Sequence, residues 1–330
     1  MDTYDPLDPQ QQEALLWSHP LVTKRYIAVT PSMPKVLGMV VDCVMYHKGC
    51  LVFKAYPRMG KTTALKFTAA ALGKIPHFED RFVLSVTADT KGDRKSRENI
   101  VRIMAKALGI PVKPHAKFIS IKDDVRNHIE SQLRNRGGRH WVLFLDELQT
   151  LAVDEFEDLQ DLQNKLALHD IDTTLIGFSQ PQIKHAITLL ESQKRSELLV
   201  RFLYDVRPLP YCTDPTWMAD TLKGYDERFT YPEGSGCTFT QFYLPRAYAT
   251  GFRLSSIATD IYRVMSSSAN VSKLPLLPTE FVFEVFRQIL FRAMKKDAPN
   301  FSVTQEIIVA ATKEAKLDDY IRLLKNSGAQ

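Results

Sequence analysis

The stretch Ala55-Tyr56-Pro57-Arg58-Met59-Gly60-Lys61-Thr62-Thr63 follows the apolar run Leu51-Val52-Phe53-Lys54-Ala55 and precedes an apolar segment at 64–72. A strand, a loop ending in glycine, lysine and threonine, and then a helix are typical of phosphate-binding sites. Backbone N–H groups at the helix start and the Lys61 ammonium favour phosphate oxygens, and the Thr62 hydroxyl suits Mg²⁺. The stretch therefore predicts an ATP site formed by Met59, Gly60, Lys61, Thr62 and Thr63.

This loop departs at one position from the pattern G-x-x-x-x-G-K-[ST], because Ala55 replaces the first glycine. The alanine side chain is small and the residue lies near the predicted strand end, so we expect the loop to form. A Gly-Lys-Thr triplet alone occurs often by chance. A second motif is needed to support the prediction.

That second motif is Trp141-Val142-Leu143-Phe144-Leu145-Asp146-Glu147, in which Asp146 lies 85 residues after Lys61. A buried strand ending in two carboxylates predicts that Asp146 lies beside the phosphate loop and binds hydrated Mg²⁺. Glu147 could then polarise the water that attacks the γ-phosphate. An acidic helix cap would explain the Asp-Glu pair alone, but not its combination with the loop.

Other apolar runs, alternating with helical patterns, predict strands at 82–87 and 173–178 and a weaker one at 203–209. Such alternation is typical of a parallel sheet covered by helices on both faces. After Pro210 only helical patterns occur, with the best candidates at 217–223, 248–265, 279–295 and 304–324. We therefore predict an α/β fold: a P-loop core with a parallel sheet flanked by helices, followed by a small all-helical domain.

Three segments follow from this pattern: an N-terminal arm at 1–35, a nucleotide-binding core at 36–210 and a helical region at 211–330. The arm carries five prolines, and we expect an irregular lead-in that covers the core, with a flexible partner-binding tail as the alternative. Residues 231–236 are predicted to form a turn or loop, and residues 266–270 a linker to the last helices.

Composition narrows the class of protein. The chain is 45% hydrophobic and 25% charged, which is typical of globular proteins and excludes fibrous or disordered classes. Its four cysteines, Cys43, Cys50, Cys212 and Cys237, lack the spacing of a zinc site, so we expect them to be reduced and buried. Neither a signal-like start nor a long apolar stretch occurs, so we expect a cytoplasmic protein without membrane contact.

Charge is distributed unevenly along the chain. Residues 91–139 contain thirteen Lys or Arg and five acids, a net charge of +8, whereas residues 146–172 carry a net charge of −8. This asymmetry favours one face for a polyanion and another for a basic partner, although solvated helix faces are the simpler interpretation for any single charge. Candidate contacts to duplex DNA are Lys91, Arg94, Lys95, Lys113 and Lys117.

A third strand end follows at Phe178-Ser179-Gln180-Pro181. Polar side chains at this place would face the γ-phosphate or the attacking water, so Ser179 and Gln180 are candidates for that contact. The alternative for Ser179 is a helix N-cap, because Pro181 is a typical first residue of a helix.

Together these motifs resemble AAA+ ATPases, and within them the transposition regulators of the TnsC and TniB type. The resemblance covers about residues 21–265 and rests on five segments of the sequence: Gly60-Lys61-Thr62-Thr63, Asp146-Glu147-Leu148-Gln149, Ile176-Gly177-Phe178-Ser179-Gln180-Pro181, Leu199-Val200-Arg201-Phe202 and Ala249-Thr250-Gly251-Phe252-Arg253. It implies that Arg201 is an arginine finger reaching the ATP of a neighbouring subunit, with Arg195 as the alternate. It also implies that Arg253 contacts phosphates in its own subunit.

The resemblance implies a protein that switches between an assembled, ATP-bound state and a disassembled state. ATP-bound copies would form rings or filaments on double-stranded DNA, contact TnsA/TnsB-like transposase subunits and a TniQ-like target selector, and disassemble after ATP hydrolysis. A loader or remodeller of a replication or helicase complex is the alternative, because it would differ mainly in its partners. A metabolic P-loop kinase is less favoured, because it would not explain an all-helical domain containing Gly251-Phe252-Arg253.

Overall fold

The computed structural model describes residues 4–90, 98–112, 117–271 and 277–326. The chain divides into two compact units. One is Met33–Pro210, called here the sheet unit, and the other combines Met1–Ser32 with Tyr211–Gln330 and is called the helical unit.

The described strands are β1 (Cys50–Lys54), β2 (Phe82–Thr87), β3 (His140–Asp146), β4 (Asp172–Ser179) and β5 (Val206–Pro208). The described helices are α1 (Pro9–Leu16), α2 (Pro20–Thr23), α3 (Ser32–Met45), α4 (Lys61–Leu72), α5 (Ile100–Ala107), α6 (Phe118–Arg136), α7 (Val153–Ala167), α8 (Ile183–Ser192), α9 (Ser196–Phe202), α10 (Pro215–Glu227), α11 (Phe239–Tyr243), α12 (Pro245–Ala249), α13 (Ala258–Val271), α14 (Thr279–Met294), α15 (Gln305–Glu314) and α16 (Leu317–Asn326). Short 3-10 helices span Leu148–Thr150 and Leu254–Ile257.

The five strands pair in parallel in the order β2-β3-β4-β1-β5. All residues of β3 are buried, as a central strand covered on both faces requires, whereas buried and exposed positions alternate through much of β2 at the edge. The predicted α/β fold, with a parallel sheet flanked by helices and a helical region after it, is confirmed. The weak fifth strand is shorter than predicted.

Residues 4–32 of the N-terminal arm belong to the helical unit and contain the helices α1 and α2, so this part of the arm is not the irregular lead-in that we expected. His19 is fully buried there, and its ring lies 4.5–4.9 Å from the ring centroids of Tyr231, Phe239, Phe242 and Tyr243. Burial lowers the pKa of His19 to about 3, so the ring is neutral at physiological pH. The arm therefore forms part of the aromatic core of this unit.

Two predicted helices are interrupted in the structure. The pattern at 248–265 is divided between α12 and α13, with Gly251 at a φ of 101° between them. Likewise, the pattern at 304–324 is divided between α15 and α16, and Lys316 adopts a φ of 57°. A left-handed residue ends the helix before it, which apolar spacing alone does not reveal. The predicted linker at 266–270 is also wrong, because α13 continues to Val271.

A buried carboxylate connects three segments of the helical unit. Asp226 of α10 is 1% exposed and accepts hydrogen bonds from Thr240 Oγ1 at 2.7 Å, Leu254 N at 2.8 Å and Ser255 N at 2.9 Å. The last two donors begin the 3-10 helix Leu254–Ile257. Because a buried charge is tolerated only when it is hydrogen-bonded, these contacts fix α11 and the 3-10 helix on α10.

The four cysteines are buried and free of disulfides, as predicted. In the described ranges, no three or more His, Cys, Asp or Glu side chains are grouped so as to hold a metal ion. None of the described helices has the length and apolar character needed to cross a bilayer.

We predict that Asp226→Ala lowers the free energy of unfolding by about 3 kcal/mol, because it leaves a hydroxyl and two backbone N–H groups buried without their acceptor. Urea unfolding followed by circular dichroism measures this loss. Asp220→Ala is the matched control on the same helix, since it removes only an exposed ion pair with Lys223 and should cost less than about 0.5 kcal/mol. Equal losses in the two variants would contradict the role of Asp226.

Candidate nucleotide-binding site

The carboxyl ends of β1, β3 and β4 meet at one edge of the sheet. In the parallel registers, Lys54 is paired with Ser179 and Leu145 with Gly177, so the segments after these strands are neighbours. Ligands of open α/β sheets bind at this edge, because loops from several strands converge there. The predicted phosphate loop, the two carboxylates and the third strand end all lie at this edge.

The loop after β1 leads directly into α4. Gly60 precedes this helix with a φ of 83°, a conformation that glycine adopts without steric cost. Ala55, which replaces the first glycine of the motif, does not have a positive φ, and its N–H donates to Ser179 O at 3.0 Å. Alanine is therefore compatible with the backbone at that position. Met59 is buried in the loop, and Thr63 lies in the first turn of α4.

Lys61 is buried at the start of α4. Its ammonium donates hydrogen bonds to Tyr56 O at 3.2 Å and to Ala55 O at 3.4 Å. Burial lowers the pKa of Lys61, whereas the nearby Glu147 and Asp146 act in the opposite direction. The loop thus holds a buried lysine head group beside two carboxylates.

A hydrogen bond joins the loop to β3. Thr62 Oγ1 donates to Asp146 Oδ2 at 2.6 Å, and Asp146 is only 2% exposed. Asp146 Oδ1 accepts from Glu147 N at 3.0 Å. A hydroxyl and a carboxylate side by side are hard oxygen ligands, and Mg²⁺ usually takes one or two such protein groups with water and phosphate as its other ligands. Thr62 and Asp146 therefore fit a magnesium site.

Glu147 follows β3 in a left-handed conformation, with a φ of 56°. Its Oε2 atom accepts from Gln149 Nε2 at 2.5 Å and from Gln180 Nε2 at 2.9 Å. Ser179 is buried at the end of β4, and its hydroxyl donates to Gln149 Oε1 at 3.0 Å. The structure therefore brings Gln180 into contact with Glu147, whereas Ser179 contacts Gln149, a residue that is not among the predicted site residues. Gln149 ends the segment Asp146-Glu147-Leu148-Gln149 that carries the sequence resemblance, but nothing in the sequence indicated a role for its side chain.

Gly177 makes room for the segment after Glu147. A Cβ atom at this position of β4 would lie 2.7 Å from Leu148 Cδ2 and 3.2 Å from Val52 Cγ2. Leu148 is fully buried, so the 3-10 helix that begins with it rests directly on the strand. A glycine in the strand therefore permits the close approach of Glu147 and Gln149 to the end of β4.

The two candidate finger arginines differ in their contacts. Arg201 of α9 donates from Nη1 to Asn164 Oδ1 at 2.7 Å. Arg195 lies 2.5 Å from Glu157 Oε1 and 2.7 Å from Glu197 Oε1, so it is held in a pair of ion contacts. The neutral amide partner of Arg201 leaves its charge less compensated than that of Arg195.

Arg253 belongs to the helical unit, where its Nη1 donates to Tyr248 O at 3.0 Å and Phe252 O at 2.7 Å. Its guanidinium also lies 3.7 Å from the centroid of the Tyr248 ring. Among the candidate DNA contacts, Lys117 is exposed immediately before α6. The other four, Lys91, Arg94, Lys95 and Lys113, lie outside the described residues.

The basic and acidic segments of the sheet unit partly neutralise each other. Lys122 of α6 lies 2.8 Å from Asp161 and 3.3 Å from Asp158, both on α7. Lys165 of α7 lies 3.2 Å from Asp161 and 3.9 Å from Asp123 of α6. The expected separation into a polyanion face and an acidic face therefore does not apply to these helices, because their charges pair across the α6–α7 contact.

Comparisons with known proteins agree with this geometry. A family model described as an AAA domain matches residues 44–187. No curated protein sequence matches the chain. Among solved structures, the Aeropyrum pernix ORC2 protein in its ADPNP-ADP complexes has a TM-score of 0.56 at 13% identity, covering 90% of this chain and 71% of that chain.

The ADP form of the same ORC2 protein has a TM-score of 0.53 at 13% identity, covering 88% of this chain and 71% of that chain. Domain III of the Thermotoga maritima replication initiation protein DnaA has a TM-score of 0.44 at 11% identity, and the match covers 87% of this chain and 94% of that domain. At such identities the ORC2 likeness concerns the fold. Together with the AAA domain match and the strand order, it shows that the chain has an AAA+ P-loop fold.

Proposed function

We propose that this chain is an ATP-hydrolysing regulator of transposition that assembles on duplex DNA. The observation that carries the ATPase part is the 2.6 Å hydrogen bond between Thr62 and Asp146, with Lys61 and Glu147 beside it. This bond unites the end of the phosphate loop with the carboxylates of β3. The AAA domain match supports the same reaction, ATP and water giving ADP and phosphate. The transposition part rests on the sequence resemblance to TnsC and TniB regulators.

Phosphate binding uses groups at the start of α4. Backbone N–H groups after Gly60 are directed along the helix axis, where the helix dipole favours negative charge. The Lys61 ammonium exchanges its bonds to Ala55 O and Tyr56 O for phosphate oxygens. Because Lys61 is buried, its charge acts on the phosphates through a medium with little screening.

Thr62 and Asp146 hold Mg²⁺ in this proposal, and the ion when bound neutralises charge on the β- and γ-phosphates. Asp146 is suited to this task because its position is fixed at both oxygens. Oδ2 accepts from the Thr62 hydroxyl and Oδ1 accepts from Glu147 N. Thr62 is itself fixed by its place in the first turn of α4.

Glu147 acts as the general base of the reaction. It accepts a proton from the attacking water while the water oxygen bonds to the γ-phosphorus and the bond to the ADP oxygen breaks. Gln180 and Ser179 lie at the neighbouring strand end, where their polar atoms contact the γ-phosphate or the water. Gln180 already donates a hydrogen bond to Glu147, so the two side chains lie in contact at the same edge of the sheet.

Arg201 completes the site of a neighbouring copy. It lies on α9 next to Val200, whose side chain is 65% exposed. Tyr204, just after the end of α9, is 80% exposed. Leu168, just after α7, is 83% exposed. Large exposed apolar side chains near an arginine favour a protein interface, and a second copy of this chain is the partner that an arginine finger requires. Arg253 contacts phosphates within its own chain.

Duplex DNA binds, in this proposal, to the basic residues Lys91, Arg94, Lys95, Lys113 and Lys117. Salt bridges occupy several charges of α6, so these five residues, none of which lies in α6, are the better candidates for phosphate contacts. An oligomer would repeat these lysines and arginines along the DNA backbone. ATP hydrolysis would then disassemble it, after contact with a TnsA/TnsB-like transposase and a TniQ-like selector in the cytoplasm.

We predict that Lys61→Ala abolishes ATP binding, whereas Glu147→Gln retains it and lowers turnover about 10²- to 10⁴-fold. The first variant removes charge from the phosphates, and the second removes only the base. Fluorescent-nucleotide titration and phosphate release separate the two effects. Lys66→Ala, an exposed lysine on the same helix, is the control and should behave as wild type. Equal loss of affinity in the Lys61 and Glu147 variants would refute this division of roles.

For Arg201, we predict that Arg201→Ala binds ATP normally but hydrolyses it about 10³- to 10⁵-fold more slowly. Mixing it with Lys61→Ala subunits should restore some turnover, because mixed interfaces combine an intact finger with an intact loop. Arg195→Ala serves as the comparison and should stay near wild type. If mixing restores nothing at any ratio, or if Arg195→Ala is the inactive variant, Arg201 is not the trans finger.

Binding to duplex DNA should require a non-hydrolysable ATP analogue and be independent of sequence. Its affinity should fall with salt with a log–log slope of about −0.9 per neutralised phosphate. Lys117→Glu should weaken binding and flatten this slope, whereas the exposed control Lys184→Glu should not. Fluorescence anisotropy measures binding and negative-stain microscopy shows the assemblies. Assembly on a helicase complex but not on DNA would favour the loader alternative.

A further inference from the structure

Gln149 uses both ends of its side-chain amide in the candidate site. It lies in the 3-10 helix Leu148–Thr150, two residues after Glu147. Its Nε2 atom donates to Glu147 Oε2 at 2.5 Å, and its Oε1 atom accepts from Ser179 Oγ at 3.0 Å and Gln180 N at 2.9 Å. One side chain therefore bonds both the residue after β3 and the carboxyl end of β4.

The partners of this amide fix its orientation. A carboxylate can only accept a hydrogen bond and a backbone N–H can only donate one. Nε2 must therefore face Glu147, and Oε1 must face Gln180 N, because a reversed amide would lose both bonds. The network specifies a single orientation of Gln149, whichever way the hydroxyl of Ser179 rotates.

The hydrogen bonds close a ring. Gln149 donates to Glu147 Oε2, Gln180 N donates to Gln149 Oε1, and Gln180 Nε2 donates back to the same Glu147 oxygen at 2.9 Å. Two amide donors thus occupy Oε2, and Oε1 is the oxygen left to accept a proton from water. The backbone beneath the ring is held by Leu148, which is buried against Gly177.

We propose that Gln149 is a positioning residue that orients the carboxylate of Glu147 and couples it to the strand end Ser179–Gln180. This inference rests on the proposed ATPase function and assigns Gln149 a role in that reaction. A movement of Gln180 towards a γ-phosphate would be transmitted to Glu147 through the shared amide. In this proposal Gln149 acts on the reaction through Glu147, to which it donates a hydrogen bond.

Gln149→Ala should lower kcat for ATP about 10- to 10²-fold, because a misplaced catalytic group typically costs this much. The dissociation constant for ATP should change less than about twofold, since Lys61 and the loop are untouched. Steady-state hydrolysis and fluorescent-nucleotide titration give the two values. Gln182→Ala is the matched control, because Gln182 is exposed before α8 and its side chain does not cap that helix.

The isosteric variant Gln149→Glu distinguishes positioning from packing. It keeps an acceptor for Ser179 and Gln180 but replaces the donor to Glu147 with a second carboxylate, which repels the first. It should therefore be at least as slow as Gln149→Ala. If Gln149 mattered only for packing, the Gln149→Glu variant would hydrolyse ATP at close to the wild-type rate.

A double-variant cycle tests whether Gln149 acts through Glu147. In the Glu147→Gln background, adding Gln149→Ala should lower the residual rate less than threefold, whereas independent effects would multiply.

The inference is overturned if the reductions multiply, if Gln149→Glu is fully active, or if Gln149→Ala loses ATP affinity as well as turnover. If wild type hydrolyses no ATP, the proposed function is wrong and this inference falls with it. If wild type is active and Glu147→Gln inactive but Gln149→Ala normal, only this inference is wrong.

Discussion

The pairing of β4 with both β1 and β3 is the constraint on which the candidate site depends. These parallel registers bring Lys54, Leu145 and Ser179 to the same edge of the sheet. A slip of one residue would turn every side chain of a strand to the opposite face, so Asp146 would no longer meet Thr62. β3 is buried along its whole length, so packing on both of its faces holds its place in the sheet. Packing of the apolar sheet therefore sets the positions of the polar side chains at its carboxyl edge.

The polar groups at this edge of the sheet form hydrogen bonds with one another. Lys61 bonds to loop carbonyls, Thr62 bonds to Asp146, and two glutamines bond to Glu147. Buried charges without such partners would cost several kcal/mol, so this network stabilises the site. Under the proposed function, nucleotide binding is therefore an exchange of hydrogen bonds. The bonds of Glu147 are of special interest, since they join the proposed base to the strand end that we assign to γ-phosphate contact.

Much of the sheet unit could be predicted because its signals are local. Four strong apolar runs gave their strands to within a few residues, and the segments after β1 and β3 were recognisable by their residue types. The helical unit was less predictable. Its breaks at Gly251 and Lys316 depend on single backbone conformations, and His19 and Asp226 are buried by partners far away in the sequence. The pairing of α6 with α7 likewise required the two helices to meet before their charges could cancel.

Residue order along one strand, one loop and one helix was enough to predict that Gly60, Lys61 and Thr62 lie where α4 begins, because a loop between a strand and a helix is made from consecutive residues. The carboxylates of β3 were also recognisable, since a buried strand has a detectable pattern and a definite end. The role of Gln149 could not be seen in this way. Its partners Ser179 and Gln180 lie 30 and 31 residues further along the chain, and they come within hydrogen-bonding distance only when β3 and β4 pair in register and Gly177 lets Leu148 approach. A hydrogen bond depends on separations of a few tenths of an ångström, which the folded backbone sets and the order of residues does not.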